Sequence, residues 1–406
     1  MRTFLPRFLY QATRGLPAMK LVQIKTATVP LQSDISNAWV NFREMTGTVV
    51  AVVSDVRRHG YPVIGWGFGS IGRYSSTAIV RGRIAPRLLA CPPSAYLDAD
   101  GRLDPMRAWP IMLQNEKPGG HGERSTAVGA VDMALWDLAA KLEDVPLWKL
   151  LSDRFNQGRA DTTIAVYAAG GYYHQAGGQS ALQDEIKGYR EAGYTDVKIK
   201  IGGATLAEDL KRVECAVQVM GGMKHVAVDA NGRLDATAAH AYATALGELG
   251  VRWFEEPGDP LDFAMQAELS ASHPALAFAT GENLFSHQDV RNLCRHAGLN
   301  SKRDTLQMDP ALSYGLPEYL RMLDLLATHG WSRRRCVPHG GHQFSLHLAA
   351  GLQLGGNESY PGVFKPFGGF ADDTIVEAGL VRLPGAPGIG IELQRELSAC
   401  FRSLLG

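Results

Sequence analysis

From Thr163 onward the chain alternates short β-rich runs with longer segments of helical spacing, and it does so eight times. The runs are TIAVYAAGG, DVKIKIGG, HVAVDANG, VRWFEEPGD, LAFATGEN, TLQMDPA, RCVPHGGH and LQLGGNES, the last ending at Ser359. Between them, segments such as 182–192, 206–220 and 236–249 carry apolar residues three and four apart, the spacing of one buried helix face. Eight consecutive strand–helix units exclude most architectures. They predict a (β/α)8-type barrel rather than an open sheet.

The preceding part reads differently. LVQIKTATV, TGTVVAVVSDV and YPVIGWGFGS predict an antiparallel meander, and VGAVDMALWDLAAKL places Val128, Val131, Leu135, Leu138 and Leu142 on one helix face. The division expected is an α+β domain over 19–155, a barrel over 160–374, and a return of residues 375–406 to the first domain. Residues 1–18 form an extension with Arg2, Arg7 and Arg14, and no acid precedes Asp34. It reads as sequence upstream of a natural start at Met19, with an arginine-rich transit peptide as the alternative. Gly67-Phe-Gly69-Ser-Ile-Gly72 matches G-x-G-x-x-G. The strand and acid that a dinucleotide site needs do not follow, so it reads as a loop between strands.

Lys+Arg and Asp+Glu are both 41, which gives nucleic acid or an anionic membrane no electrostatic footing. No apolar run approaches the ~20 residues that span a bilayer. Cys91, Cys215, Cys294, Cys336 and Cys400 are scattered and odd in number, as expected for free thiols in a reducing, cytoplasmic setting.

Chemistry in such a barrel sits where the strands end. Strand two ends in Lys198 and Lys200, two apart and so on one face. Strand three ends in Asp229, strand four in Glu255, strand five in Glu282, strand six in Asp309, strand seven in His339 and strand eight in Glu358. Three acids from adjacent strands repel unless a cation joins them, and an all-oxygen donor set suits Mg²⁺, one per subunit. Beside that cluster an inward lysine has charge partners. Crowding by the second ammonium and the cation is expected to lower its pKa toward neutrality, making it a general base. His339 faces it across the barrel as the complementary acid or base, its ring oriented by Asp309; His342 is read as structural. The implied reaction starts with removal of a proton α to a carboxylate. Protonating a β-hydroxyl then gives a dehydratase; a second base gives a racemase.

The KxK pair, the Asp/Glu/Glu triad and the Asp–His dyad resemble the enolase superfamily, mandelate racemase subgroup, from Met19 to the end. The resemblance implies a modified (β/α)7β TIM barrel with an N-terminal α+β capping domain. Segments 115–125 (NEKPGGHGERS), 167–173 (YAAGGYY), 281–289 (GENLFSHQD), 338–343 (PHGGHQ) and 355–361 (GGNESYP) resemble its tartrate dehydratase branch. That branch departs from this chain at Gly69 and Ile71, where it has asparagines, and at Pro257. Carried over, the resemblance makes Lys200 the base, His339 the acid, and Asp229, Glu255 and Glu282 the Mg²⁺ ligands. Asn37, Lys117, Tyr172, Lys198 and Glu358 would hold the substrate. The implied activity is a carbon–oxygen hydro-lyase that converts D-tartrate to oxaloacetate. The alternatives are a longer aldonic or aldaric acid, admitted by Gly69, or racemisation; an inactive barrel kept for binding is the non-enzymatic one. The implied partners are a small hydroxy-dicarboxylate and further copies of the chain in a homo-oligomer.

Overall fold

The computed structural model describes residues 19–173 and 178–405. The extension over 1–18 lies outside them.

Strands β1 (Leu21–Pro30), β2 (Thr46–Arg58) and β3 (Tyr61–Phe68) form an antiparallel meander in that order. The central strand is buried without interruption from Gly47 to Ser54, as a strand covered on both faces must be. The helix Arg124–Leu142 covers it and β3, and the C-terminal helix Arg395–Leu405 packs on β1 and β2. Phe401 stacks on Trp66 with ring centroids 4.9 Å apart.

Helix Arg124–Leu142 departs from the one-faced expectation: every residue from Ser125 to Ala140 is buried. It is wedged between the meander and the barrel. A Cβ on Gly65 would stand 1.9 Å from the Ala134 carbonyl oxygen, and one on Gly67 2.2 Å from that of Ala130. On its other side Gly129 touches Ala311, and the Asp132 carboxylate accepts from the Leu316 N–H at 2.7 Å. A helix buried all round shows no amphipathic period to its neighbours. Gly67→Ala should therefore cost about 1–3 kcal/mol through overpacking, measured by denaturant titration; a change under ~0.5 kcal/mol would mean that the helix slides freely.

The barrel is built from parallel strands β4 (Thr163–Gly170), β5 (Val197–Lys200), β6 (Val226–Asp229), β7 (Phe254–Glu255), β8 (Phe278–Thr280), β9 (Thr305–Leu306) and β10 (Asn357–Ser359). β10 closes the ring onto β4. The expected seventh strand, RCVPHGGH, is not one. Residues Arg333–Arg335 form a 3₁₀ turn, and pairing with β9 is reduced to one bridge between Leu306 and Cys336. Pro338 has no N–H with which to extend that bridge, so His339 stands on a loop. This is the (β/α)7β arrangement with an N-terminal capping domain. A hairpin of β11 (Val376–Glu377) and β12 (Leu380–Arg382), in a stretch that reads as irregular, adds antiparallel to the start of β4 before the chain reaches the first domain. Among the described residues no helix is long and apolar enough to cross a membrane.

The G-x-G-x-x-G segment is not a loop between strands either. Gly67 and Phe68 end β3, and residues 69–76 run over the barrel mouth to a helix that opens at Thr77.

Candidate active site

Parallel pairing aligns Lys200 with Asp229 and Asp229 with Glu255, so three charged strand ends form one row across β5, β6 and β7. Glu282 lies two residues beyond the end of β8. One carboxylate oxygen from each of Asp229, Glu255 and Glu282 can be chosen so that all lie within 4.8 Å of one another. Asp229 also forms the local turn that its DAN sequence permits: Oδ1 accepts from the Asn231 N–H at 2.8 Å, while Oδ2 accepts from Lys200 Nζ at 2.5 Å.

Both lysines are buried, as are Val197 and Ile199, which alternate with them. Lys198 Nζ lies 2.6 Å from Glu255 and 2.7 Å from Glu358. Burial works to lower the Lys200 amine, but the Asp229 carboxylate against it, together with Tyr172 and Glu282, outweighs burial and raises it. The expected drop toward neutrality is therefore absent while Asp229 faces Lys200 alone. Burial pushes Glu255 up to about 7. Burial also works against Asp229 as an anion, yet Lys200 and Lys198 hold it below the ordinary carboxylate range.

Across the barrel His339 Nδ1 is 3.0 Å from Asp309 Oδ2, and Nε2 is 3.0 Å from the Tyr360 hydroxyl and 3.3 Å from Glu282. Burial opposes charge on the ring, but Glu282 and the bond to Asp309 push it up to about 9. Ser70, from the capping domain, donates to the same Asp309 oxygen at 2.6 Å. A Cβ at Gly340 (φ +106°) would come within 2.8 Å of that oxygen, so only glycine fits the close approach. His342 is buried, its pKa driven down to about 4 by burial, and its Nδ1 caps the helix Gln343–Gly351 at the Ser345 N–H.

A cavity of about 170 Å³ opens onto these groups, lined by Asn37, Tyr172, Lys200, Glu282 and His339 among others. Three expected substrate contacts do not line it. Lys117 is exposed and borders a separate cavity with Trp109, His121 and Tyr314, because its loop is anchored there by Arg124 bonding Gly119 and Glu116. Lys198 and Glu358 lie beneath the floor, paired with each other. Sequence reasoning also missed residues. Tyr360 is two residues past Glu358, so the period of two that paired the lysines would have found it. Arg73 and Asn283 line the cavity from the capping loop and the end of β8, and Trp39 stands at its rim with Arg233 stacked over its ring at 4.5 Å. Nothing local signals Arg73 or Ser70, since both act across the domain junction.

Known proteins share this fold. Residues 181–397 match the family model described as enolase C-terminal domain-like. Residues 45–152 match the mandelate racemase/muconate lactonizing enzyme N-terminal domain. The L-talarate/galactarate dehydratase of Salmonella typhimurium LT2 is 29% identical over 340 residues, 82% of this chain and 79% of that enzyme. The arabinonate dehydratase of Saccharolobus solfataricus is 26% identical over 68% of this chain and 72% of its own length. The crystal structure of the Salmonella enzyme with Mg and L-lyxarohydroxamate superposes with TM-score 0.74 at 23% identity, covering 96% of this chain and 93% of that one. A Streptomyces coelicolor A3(2) racemase with bound magnesium superposes with TM-score 0.74 at 22% identity, covering 95% and 98%. With a family model spanning more than half of its length, this chain belongs to the mandelate racemase/muconate lactonizing enzyme subgroup of the enolase superfamily.

Proposed function

We propose that the protein is an acid-sugar hydro-lyase that removes water from a small hydroxy-dicarboxylate. The observation that carries this reading is the row of Lys200, Asp229 and Glu255 with Glu282, set across one cavity from the His339–Asp309 pair. Curated relatives that act on galactarate, arabinonate and rhamnonate support the reaction class. The cavity of about 170 Å³ is smaller than the ~300–1,000 Å³ of drug-sized sites, which favours a short acid. D-Tartrate, giving oxaloacetate, is the first candidate on the segments noted above. Longer aldarates or aldonates are the second, the former named for one relative and the latter for two others.

The three acids fit a hard divalent cation: their donors are all oxygen and mutually repulsive without one, with Asp229 and Glu255 buried and Glu282 half-buried at the cavity. Asp229, Glu255 and Glu282 would hold Mg²⁺. Bound there, it supplies positive charge to the substrate carboxylate as the α-proton leaves. A cation held there would draw on the Asp229 charge that now raises Lys200, which would favour the neutral amine that accepts a proton. Lys200 takes the α-proton. His339, held through Nδ1 by Asp309, delivers its Nε2 proton to the departing β-hydroxyl, and the resulting enol tautomerises to the keto acid. Tyr172, with Lys200 Nζ 5.2 Å from its ring centre, and Phe364 exclude water from the amine.

A panel of tartrate isomers, aldarates and aldonates tests this, with keto acid read as its semicarbazone. Chelation with EDTA should abolish turnover, and Mg²⁺ should restore both turnover and a higher melting temperature. Full turnover after chelation would sink the reading. Solvent deuterium entering the α-position with no keto acid formed would favour a racemase.

A further inference from the structure

We infer that Arg73 is the receptor for the second carboxylate of the substrate, and that Asn283 holds it in position; the inference rests on the acid-sugar reading of the site. Arg73 lies on the capping loop and lines the cavity, which Lys117 does not. Its guanidinium is oriented from three sides. Nη1 donates to the Gly72 carbonyl at 2.6 Å, Nη2 donates to Asn283 Oδ1 at 2.5 Å, and the group lies 5.1 Å from the Phe285 ring centre. Those bonds use two of its five N–H donors, which leaves three without a protein partner among the described residues. No carboxylate of the described residues lies within 4.0 Å of it, whereas every other buried cation of the site has one. Glu123 feels the Arg73 charge from beyond that distance; a half-buried guanidinium with no carboxylate in contact is costly, and a ligand carboxylate matches its fork.

Asn283 explains why the fork is held still. Its Oδ1 takes Arg73, and its Nδ2 donates to both oxygens of Glu256 at 3.0 Å and lies 3.4 Å from Glu282. One amide therefore spans the gap between an acid of the metal cluster and the arginine. A bound diacid would place one carboxylate at the cluster and Lys200 and the other at Arg73. Asn283 is a positioning residue, since it touches the arginine rather than the reacting atoms.

Calorimetric titration of the Mg²⁺-loaded full chain tests this independently of turnover. The ligands are D-tartrate and galactarate as diacids, D-threonate and galactonate as their monoacid counterparts, and 6-phosphogluconate. Wild type should bind the diacids about 100-fold more tightly than the monoacids. In Arg73→Gln that ratio should collapse toward one. Arg73→Lys, which keeps the charge without the fork, should recover part of it, and Asn283→Ala should lower the ratio while leaving some preference. The inference is overturned if wild type shows no diacid preference, if Arg73→Gln retains it, if Arg73→Gln weakens both classes equally, or if 6-phosphogluconate outcompetes the diacids. Turnover measured in parallel separates the two readings. A diacid preference lost in Arg73→Gln upholds this inference even where no acid is dehydrated, and in that case only the hydro-lyase reading fails.

Discussion

Lys200→Ala should abolish turnover, with kcat falling by about 10⁴-fold for every acid the protein converts and no solvent deuterium entering the α-position. The size of the effect follows from geometry. Lys198, the other lysine of the pair, is enclosed by Glu255 at 2.6 Å and Glu358 at 2.7 Å and does not line the cavity, so it cannot substitute. The variant also leaves Asp229 buried without its partner at 2.5 Å. Lys198 at 3.7 Å and the Asn231 N–H stay beside it, so the loss should fall short of the about 3–5 kcal/mol that a wholly unpaired buried charge costs. The measurement therefore belongs in saturating Mg²⁺, with circular dichroism and a melting curve to show that the chain is folded. A folded variant that still exchanges α-deuterium at the wild-type rate would remove Lys200 from the base role.

His339→Asn should separate two steps that Lys200→Ala removes together. Loss of the ring removes the proton donor to the leaving hydroxyl, so keto acid formation should fall by about 10²–10⁴-fold. Lys200 stands on the opposite wall of the cavity, on β5, and is untouched, so α-deuterium exchange followed by NMR should continue. Asp309→Asn should cost less, about 10–100-fold, because it removes the group that orients the ring and not the ring itself. Exchange and elimination lost in equal measure in His339→Asn would show instead that the histidine holds Glu282, 3.3 Å from Nε2, and so shapes the acidic cluster.

Residues whose roles depend on local periodicity were legible without coordinates. The alternation of two put Lys198 and Lys200 on one face, and the regular return of strand ends put Asp229, Glu255 and Glu282 on neighbouring strands. The strand seven expectation failed at Pro338, where a β-rich composition hid a missing donor. The helix Arg124–Leu142 looked amphipathic because its larger apolar residues fall on one stripe; its alanines and glycine, silent in a helical wheel, are the side on which the meander and barrel approach it. The substrate end of the site was least legible. Lys117 has the right chemistry, but its loop is tied to Arg124 and points at a different cavity.

What the chain determined by itself is the repeating unit and the charges at its ends, because hydrophobic period and strand polarity are written within a few residues of one another. What only the tertiary structure decided is which charges meet across the domain junction. Ser70 and Asp309 are 239 positions apart, and Arg73 and Asn283 are 210 apart, yet each pair is joined by one hydrogen bond. Contacts of that range are set by how two separately folded surfaces pack. No local pattern of residues carries that information.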